Sequence, residues 1–374
     1  MRLDLTEDQI SLMDGIERLC GDAARVTNPT NASERVWNDL ARMGWLGLAT
    51  PEARGGVGGS ALEVGLLMRA AGRHALVTPF FSSVVLGARI LALAAGSPAT
   101  DDVLAKALNG DVLMALAHQE GDQFDPVSPA VTATLSGGRW RLVGQKTLSF
   151  GAADADWLLV SATVERSQSV GLFLVNTAAP GVKRSRFGAL RGTDAADVML
   201  DATVPNDACL VEGPAAAELL SRVVDEGILA LAWEALGAMT SLFEQTVAYV
   251  KVREQFGRPI ATFQTVQHRI AEMAVHCEEA QSILELASLR AASPERRRLV
   301  SAAKAQVGRG AKFVAETAVQ LHGGVGVTEE LQVARFFRLL TCFQAVFGTV
   351  DQHLARYAAA TLPGRTHSRS VVLG

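Results

Sequence analysis

The sequence predicts an α+β fold in three parts: an N-terminal helical domain over 1–111, a middle antiparallel β domain over 112–214 and a C-terminal four-helix bundle domain over 215–374. Three observations predict it. Apolar residues recur at helical spacing through the first part. From about residue 112, β-branched residues alternate with polar ones, as strands require. Helical periodicity returns at Ala215 and holds almost to the end. A chain of 374 residues and 39.5 kDa exceeds one ordinary core, which fits several structural units.

The elements follow in order. Thr6, with Gln9 three positions on, makes a capping box ahead of Ile10, Leu12, Met13, Ile16 and Leu19. Trp37, Leu40, Met43 and Leu46 mark a second helix, and 52–59 is a glycine-rich loop. Further helices are predicted from Ala61 toward Arg73 and from Phe81 to Ala95. In the middle part, 131–135 and 140–143 flank Ser136-Gly137-Gly138 as a hairpin. Strands are also predicted at 157–160, 170–175 and 197–200, with a turn-rich link over 176–181. The last part carries four long helical stretches, at 219–255, 262–290, 294–321 and 330–357, the third stopped by His322-Gly323-Gly324. Such helices pack as a bundle within one chain or between copies of it. The polar tail from Pro363 is expected to be loose.

Composition excludes several function classes. Hydrophobic residues make up 49% and charged residues 20%, which excludes bulk disorder. The 35 Lys and Arg against 39 Asp and Glu leave no basic excess to track nucleic acid. Cys20, Cys209, Cys277 and Cys342 form no CxxC pair, so neither zinc nor a disulfide framework is expected, and a reducing, cytoplasmic setting is. The start of the chain does not have the pattern of a signal peptide, and no run reaches the length of a membrane span. His268 and His276 share a helix face but have no third ligand, so they read as surface histidines.

Two segments stand out. One is Val252-Arg253-Glu254-Gln255-Phe256-Gly257-Arg258-Pro259, followed by Gln264 and Gln267. The other is Gln320-Leu321-His322-Gly323-Gly324-Val325-Gly326. Glycines at helix ends let another molecule approach the backbone, and Arg253 offers a planar donor fork suited to a pyrophosphate.

With the helix–strand–helix layout, R-x-x-F-G and Q-x-H-G-G-x-G resemble the acyl-CoA dehydrogenase family over nearly the whole chain. Trp45-Leu46-Gly47-Leu48, Pro51-Glu52 and Gly55-Gly56 add to the likeness, as do Leu142, Gly144, Lys146 and the strand 172–175. The resemblance implies an FAD enzyme that takes a proton from the carbon beside a CoA thioester and passes a hydride from the next carbon to the flavin. It assigns Arg253, Gln255, Phe256, Gln264, Gln320, Gly323 and Gly324 to the FAD pyrophosphate and adenine. In the family this half-site serves the flavin of a neighbouring subunit.

Other family positions differ. The usual Glu base falls at Phe347 in Gln344-Ala345-Val346-Phe347-Gly348-Thr349. The alternative base position, on the helix before R-x-x-F-G, is Gly227, followed by Ile228. Asp225 and Glu226 are nearby, but one helical step turns a side chain by about 100°. They read more readily as first-turn or surface acids. The flavin-facing Lys-x-Trp-Ile-Thr segment is here Lys146-Thr147-Leu148-Ser149-Phe150, where only a one-residue shift onto Ser149 would restore the hydroxyl. The flavin-facing acidic loop is His118-Gln119-Glu120-Gly121-Asp122.

Three readings stand at this point. In the first, the chain is the subunit without a catalytic Glu in a heterotetrameric α2β2 dehydrogenase, of the kind acting on steroid side-chain or other acyl-CoA thioesters in fatty acid or steroid degradation. It would complete FAD binding for a related catalytic subunit. In the second, it is an autonomous homo-oligomer using Asp225 or Glu226 as base. In the third, it is a flavin-free scaffold. The resemblance also implies an electron-transfer flavoprotein as acceptor. Nucleic acid and membrane partners are not expected, and the width of any acyl pocket depends on helices near Leu86 and Val224.

Overall fold

The structure is a computed structural model, and it describes residues 5–26, 28–94, 96–121, 129–188, 194–327 and 332–361. The tail from Pro363 and Asp122 of the acidic loop lie outside them.

The N-terminal part is helical: α1 (Glu7–Ala24), α2 (Pro29–Arg42), α3 (Ala61–Arg73), α4 (Arg89–Leu93) and α5 (Pro98–Asn109). The Thr6–Gln9 capping box forms as expected, and Ser60 with Glu63 makes a second one at α3. The stretch expected as a helix from Phe81 is wider than an α-helix at first. Residues 80–88 are π-helical and pass directly into α4. A π turn is a common device where a helix must re-aim side chains toward a site.

The middle part holds β1 (Met114–Ala117), β2 (Thr132–Ser136), β3 (Arg139–Phe150), β4 (Trp157–Val164), β5 (Ser169–Asn176), β6 (Val182–Gly188), β7 (Asp194–Pro205) and β8 (Cys209–Glu212). Strand order is β6-β7-β3-β2-β4-β5-β8, with β1 also pairing β4. The hairpin at Gly137-Gly138 is present, both glycines having positive φ. The expectation of an antiparallel sheet needs correction, because β4 pairs in parallel with both β1 and β2. One sheet face encloses its own core around Trp140, Leu142, Phe173 and Val198. On the other side, Phe150, Leu159, Leu172 and Ala195 join the large core of the helices.

The C-terminal part holds α6 (Pro214–Val252), α7 (Gln264–Leu289), α8 (Arg296–His322), α9 (Val333–Ala345) and α10 (Val350–Thr361). The expected fourth helix is therefore two helices. The break carries two residues with positive φ, Phe347 at +53° and Gly348 at +98°. Three side chains fix it. The Lys304 ammonium, fully buried in α8, donates to the carbonyls of Phe343 and Val346. His353 of α10 donates to Phe347 O at 2.8 Å. Gln344 donates to Gly308 O at 2.8 Å, tying the end of α9 to α8.

Candidate active site and nucleotide half-site

Arg253, Gln255, Phe256, Gln264, Gln320, Gly323 and Gly324 are brought to one end of the C-terminal helices, and all seven are exposed. Arg253 caps α6, its N–H bonded to Tyr249 O at 2.9 Å and its carbonyl accepting from Ile260 N at 2.8 Å. Between these two contacts the chain makes a tight hairpin, with Glu254–Gln255 paired to Arg258–Pro259. Phe256 and Gly257 turn it at φ +54° and +78°. A bulky residue in that region costs about 1–3 kcal/mol, and local structures keep such strain mainly where it serves a contact. Phe256 is 93% exposed and meets the Phe263 ring edge to face with centroids 6.1 Å apart, and Arg258 also lies over that ring. Among the described residues, none pairs with the Arg253 guanidinium.

The second segment meets the first through one residue pair. The His322 and Tyr249 rings stack with centroids 4.3 Å apart, and Tyr249 Oη donates to His322 O at 3.3 Å. α8 therefore ends beside the end of α6. Gly323 follows at φ +64°, and a Cβ on Gly323 or Gly324 would meet no heavy atom within 4 Å. The backbone there is open to an incoming molecule.

The two base positions also converge, although 120 residues of sequence separate Gly227 from Phe347. Phe81, on the π-helical turn, meets Phe347 edge to face with ring centroids 6.2 Å apart. The same Phe81 ring lies 3.7 Å from the place a Cβ on Gly227 would occupy, and Leu86 Cδ2 only 2.7 Å from it. Phe81, Leu86 and Phe347 are all buried. Among the described residues, the side chains that meet at the position assigned to either base are hydrocarbon.

Asp225 and Glu226 are not surface acids, as read from the sequence, but paired ones, Asp225 buried and Glu226 half-buried. Asp225 is fully buried, with Arg296 Nε at 2.9 Å and an Arg356 nitrogen at 2.7 Å. Glu226 takes Arg89 in a bidentate pair at 2.7 and 3.0 Å and Arg222 at 3.0 Å. Burial alone would raise the Glu226 carboxyl, but the Arg89 and Arg222 contacts outweigh it and hold the group below the usual carboxylate range. An acid held ionised between guanidinium groups is a poor proton acceptor.

Two further expectations resolve on the sheet. A bulge places Thr147 and Leu148 of β3 opposite one residue of β7, with Leu148 at φ +46°. Ser149 then pairs with Ala196, a residue of the sheet's own core. It does not restore the missing hydroxyl toward the helices. Phe150 pairs with Ala195 and faces the helical core in its place. Glu120 of the acidic loop is turned inward. It accepts from Lys146 Nζ at 2.6 Å and from Val131 N at 3.0 Å. Burial lowers the Lys146 ammonium to about 8, against the pull of Glu120 upward.

Comparison with known proteins decides the family. The acyl-CoA dehydrogenase N-terminal domain matches residues 6–111, and the acyl-CoA dehydrogenase C-terminal domain matches 219–362. The chain belongs to the acyl-CoA dehydrogenase family. Acyl-CoA dehydrogenase FadE28 of Mycobacterium tuberculosis is 32% identical over 239 residues, covering 64% of this chain and 66% of that protein. Among solved structures, the ChsE4-ChsE5 complex from Mycobacterium tuberculosis superposes with a TM-score of 0.86 at 26% identity, covering 99% of this chain and 100% of that one. A single-residue variant of the Tcur3481-Tcur3483 steroid ACAD gives 0.83 at 29% identity, covering 95% of this chain and 98% of that one.

Acyl-CoA dehydrogenases are FAD-dependent oxidoreductases acting on CH–CH bonds. The exposed helix ends fit one half of that cofactor. A guanidinium, side-chain amides and open glycine backbone are donors suited to a pyrophosphate. The β3 face fits the ring half poorly, since Leu148 and Phe150 offer neither a flat indole nor a hydroxyl. Sequence reasoning missed the roles of Tyr249 and Phe81, and named Leu86 only for the width of an acyl pocket. Tyr249 lies four residues before Arg253, a spacing that puts both on one helix face, whereas nothing in the sequence links Phe81 to Phe347.

Proposed function

We propose that this chain is the subunit without a catalytic base in a heteromeric acyl-CoA dehydrogenase. It completes the pyrophosphate and adenine side of FAD held by a related catalytic subunit. The observation that carries this reading is the contrast between the two sites. The convergence point of both base positions is filled by Phe81, Leu86 and Phe347, while seven nucleotide-side residues stand exposed at one end of the C-terminal helices.

In that assembly FAD accepts the hydride when bound. Arg253 offers paired N–H groups to the pyrophosphate, and the Gly323 and Gly324 backbone lets the dinucleotide lie close. The partner supplies the base and the ring pocket. Likeness to a steroid ACAD and to the ChsE4-ChsE5 complex supports an α2β2 arrangement and a bulky acyl-CoA thioester of steroid side-chain type. An electron-transfer flavoprotein is the proposed acceptor and the cytoplasm the proposed location.

The test is to purify the chain alone and together with its catalytic homologue. The proposal expects yellow, active protein only from the pair, and less FAD in the pair carrying Arg253→Ala. A lone chain that retains FAD and oxidises a thioester overturns it.

A further inference from the structure

We infer that Tyr249 and His322 are positioning residues of the nucleotide half-site, joining its two segments into one surface. The inference rests on the half-site reading above. Arg253 and the Gly323-Gly324 pair come from different helices, α6 and α8, and each follows the last turn of its helix. Helix ends fray, and an exposed terminal turn has few contacts to set its place. A dinucleotide that needs both at once would have to order them on binding, at a cost in affinity.

The geometry removes that cost. Tyr249 is one turn before Arg253, and its carbonyl accepts the Arg253 N–H at 2.9 Å. Its ring stacks on His322 at 4.3 Å and 24° between planes, and its hydroxyl reaches His322 O at 3.3 Å. His322 directly precedes Gly323. Its Nδ1 donates to Ala318 O at 2.8 Å, which sets both the ring plane and the tautomer. The ring is held from behind by its own helix and in front by Tyr249. The chain has only two tyrosines, and this one spans the gap between the motifs.

Neither ring needs to touch the cofactor for this role. The loss on removing the stack is therefore a loss of preorganisation, seen in FAD affinity rather than in the chemical step. The experiment deflavinates the complex with the catalytic homologue and titrates FAD back. The variants are Arg253→Ala, Tyr249→Phe and Tyr249→Leu, and the melting temperature of the flavin-free complex is measured alongside. Tyr249→Leu is expected to raise the FAD Kd about tenfold. Tyr249→Phe, which keeps the stack, is expected to stay within about threefold of the parent, with kcat at saturating FAD unchanged in both. Should Tyr249→Leu fail to assemble, His322→Ala removes the stack from the other side and is read the same way.

A Tyr249→Leu Kd equal to the parent's, while Arg253→Ala weakens FAD, overturns the inference and leaves the half-site reading intact. Equal Kd values for all variants, Arg253→Ala included, overturn both. A Tyr249→Phe loss as large as that of Tyr249→Leu overturns the assignment to the ring stack.

Discussion

Phe81 presents its edge to Phe347 with ring centroids 6.2 Å apart, a contact at the position to which the sequence resemblance assigns the family's Glu base. It makes Phe347 a packing residue as much as a missing base. Phe347→Ala should cost about 3–5 kcal/mol, the usual effect of emptying a buried aromatic site. Phe347→Glu should not create a dehydrogenase. Its carboxyl would be buried against Phe81 and Leu86, which favours the neutral acid, and no space is left for a thioester. The check is anaerobic addition of acyl-CoA to a complex whose partner has lost its own base. The flavin should stay oxidised; bleaching would contradict the account.

Gly227 and Leu86 form a second tight contact. A Cβ on Gly227 would sit 2.7 Å from Leu86 Cδ2, so Gly227→Ala must push that side chain within a packed core. The expected loss is about 1–3 kcal/mol. Leu86→Ala alone leaves a cavity and costs about 2–5 kcal/mol. Together they should cost about 1 kcal/mol less than the sum, because the new methyl enters space that Leu86 vacated. Urea unfolding of the four proteins in the cycle measures this, and strict additivity would show that the two sites do not touch.

Asp225 and Glu226 are adjacent in sequence yet serve different joints. Asp225→Asn removes the buried carboxylate that pairs with both Arg296 and Arg356, although Arg296 keeps its bond to Glu218, and should cost about 3–5 kcal/mol. Glu226→Gln weakens the Arg89 and Arg222 bonds, and its effect depends on pH. The folded carboxyl lies below its ordinary value, so its contribution is fully present above the unfolded carboxylate value near ~4.3. It fades as pH falls through the lower folded value. Parent and Glu226→Gln should therefore converge in stability at strongly acidic pH. Turnover per folded complex should be unchanged in both variants; its abolition would revive these acids as bases.

Much of this was legible in the sequence because it was local. The Thr6 capping box, the Gly137-Gly138 hairpin and the helices of the C-terminal part follow from spacing alone. The helix ends that gather Arg253, Phe256 and Gly323 were legible for the same reason. What escaped depends on partners distant in sequence. β6 reads Lys183-Arg184-Ser185-Arg186 without alternation, because it is an exposed edge strand whose place is set by β7. The break at Phe347 interrupts a stretch that keeps helical character on both sides, and it exists because Lys304 and His353 hold its carbonyls. The filling of the base site needs Phe81, Leu86, Gly227 and Phe347 together, and only the fold brings them together.

Lys304 gives the last prediction. Its ammonium is buried without a carboxylate in reach of a salt bridge among the described residues. It donates to Phe343 O and Val346 O and lies 3.7 Å from the Phe343 ring centroid. Burial pushes it down to about 7, from an unfolded value near ~10.4. Between those values the unfolded chain binds the extra proton, so stability should rise as pH increases from about 7 toward 10 and level off on either side. Lys146, lowered to about 8, adds to the same trend in the parent. Lys304→Met removes the Lys304 share but also leaves the two carbonyls without their donor. The variant should therefore be less stable at every pH, with a shallower rise between about 7 and 10. Chemical unfolding at fixed ionic strength across that range measures both. Parallel stability curves for parent and variant would mean that the buried amine keeps an ordinary proton affinity.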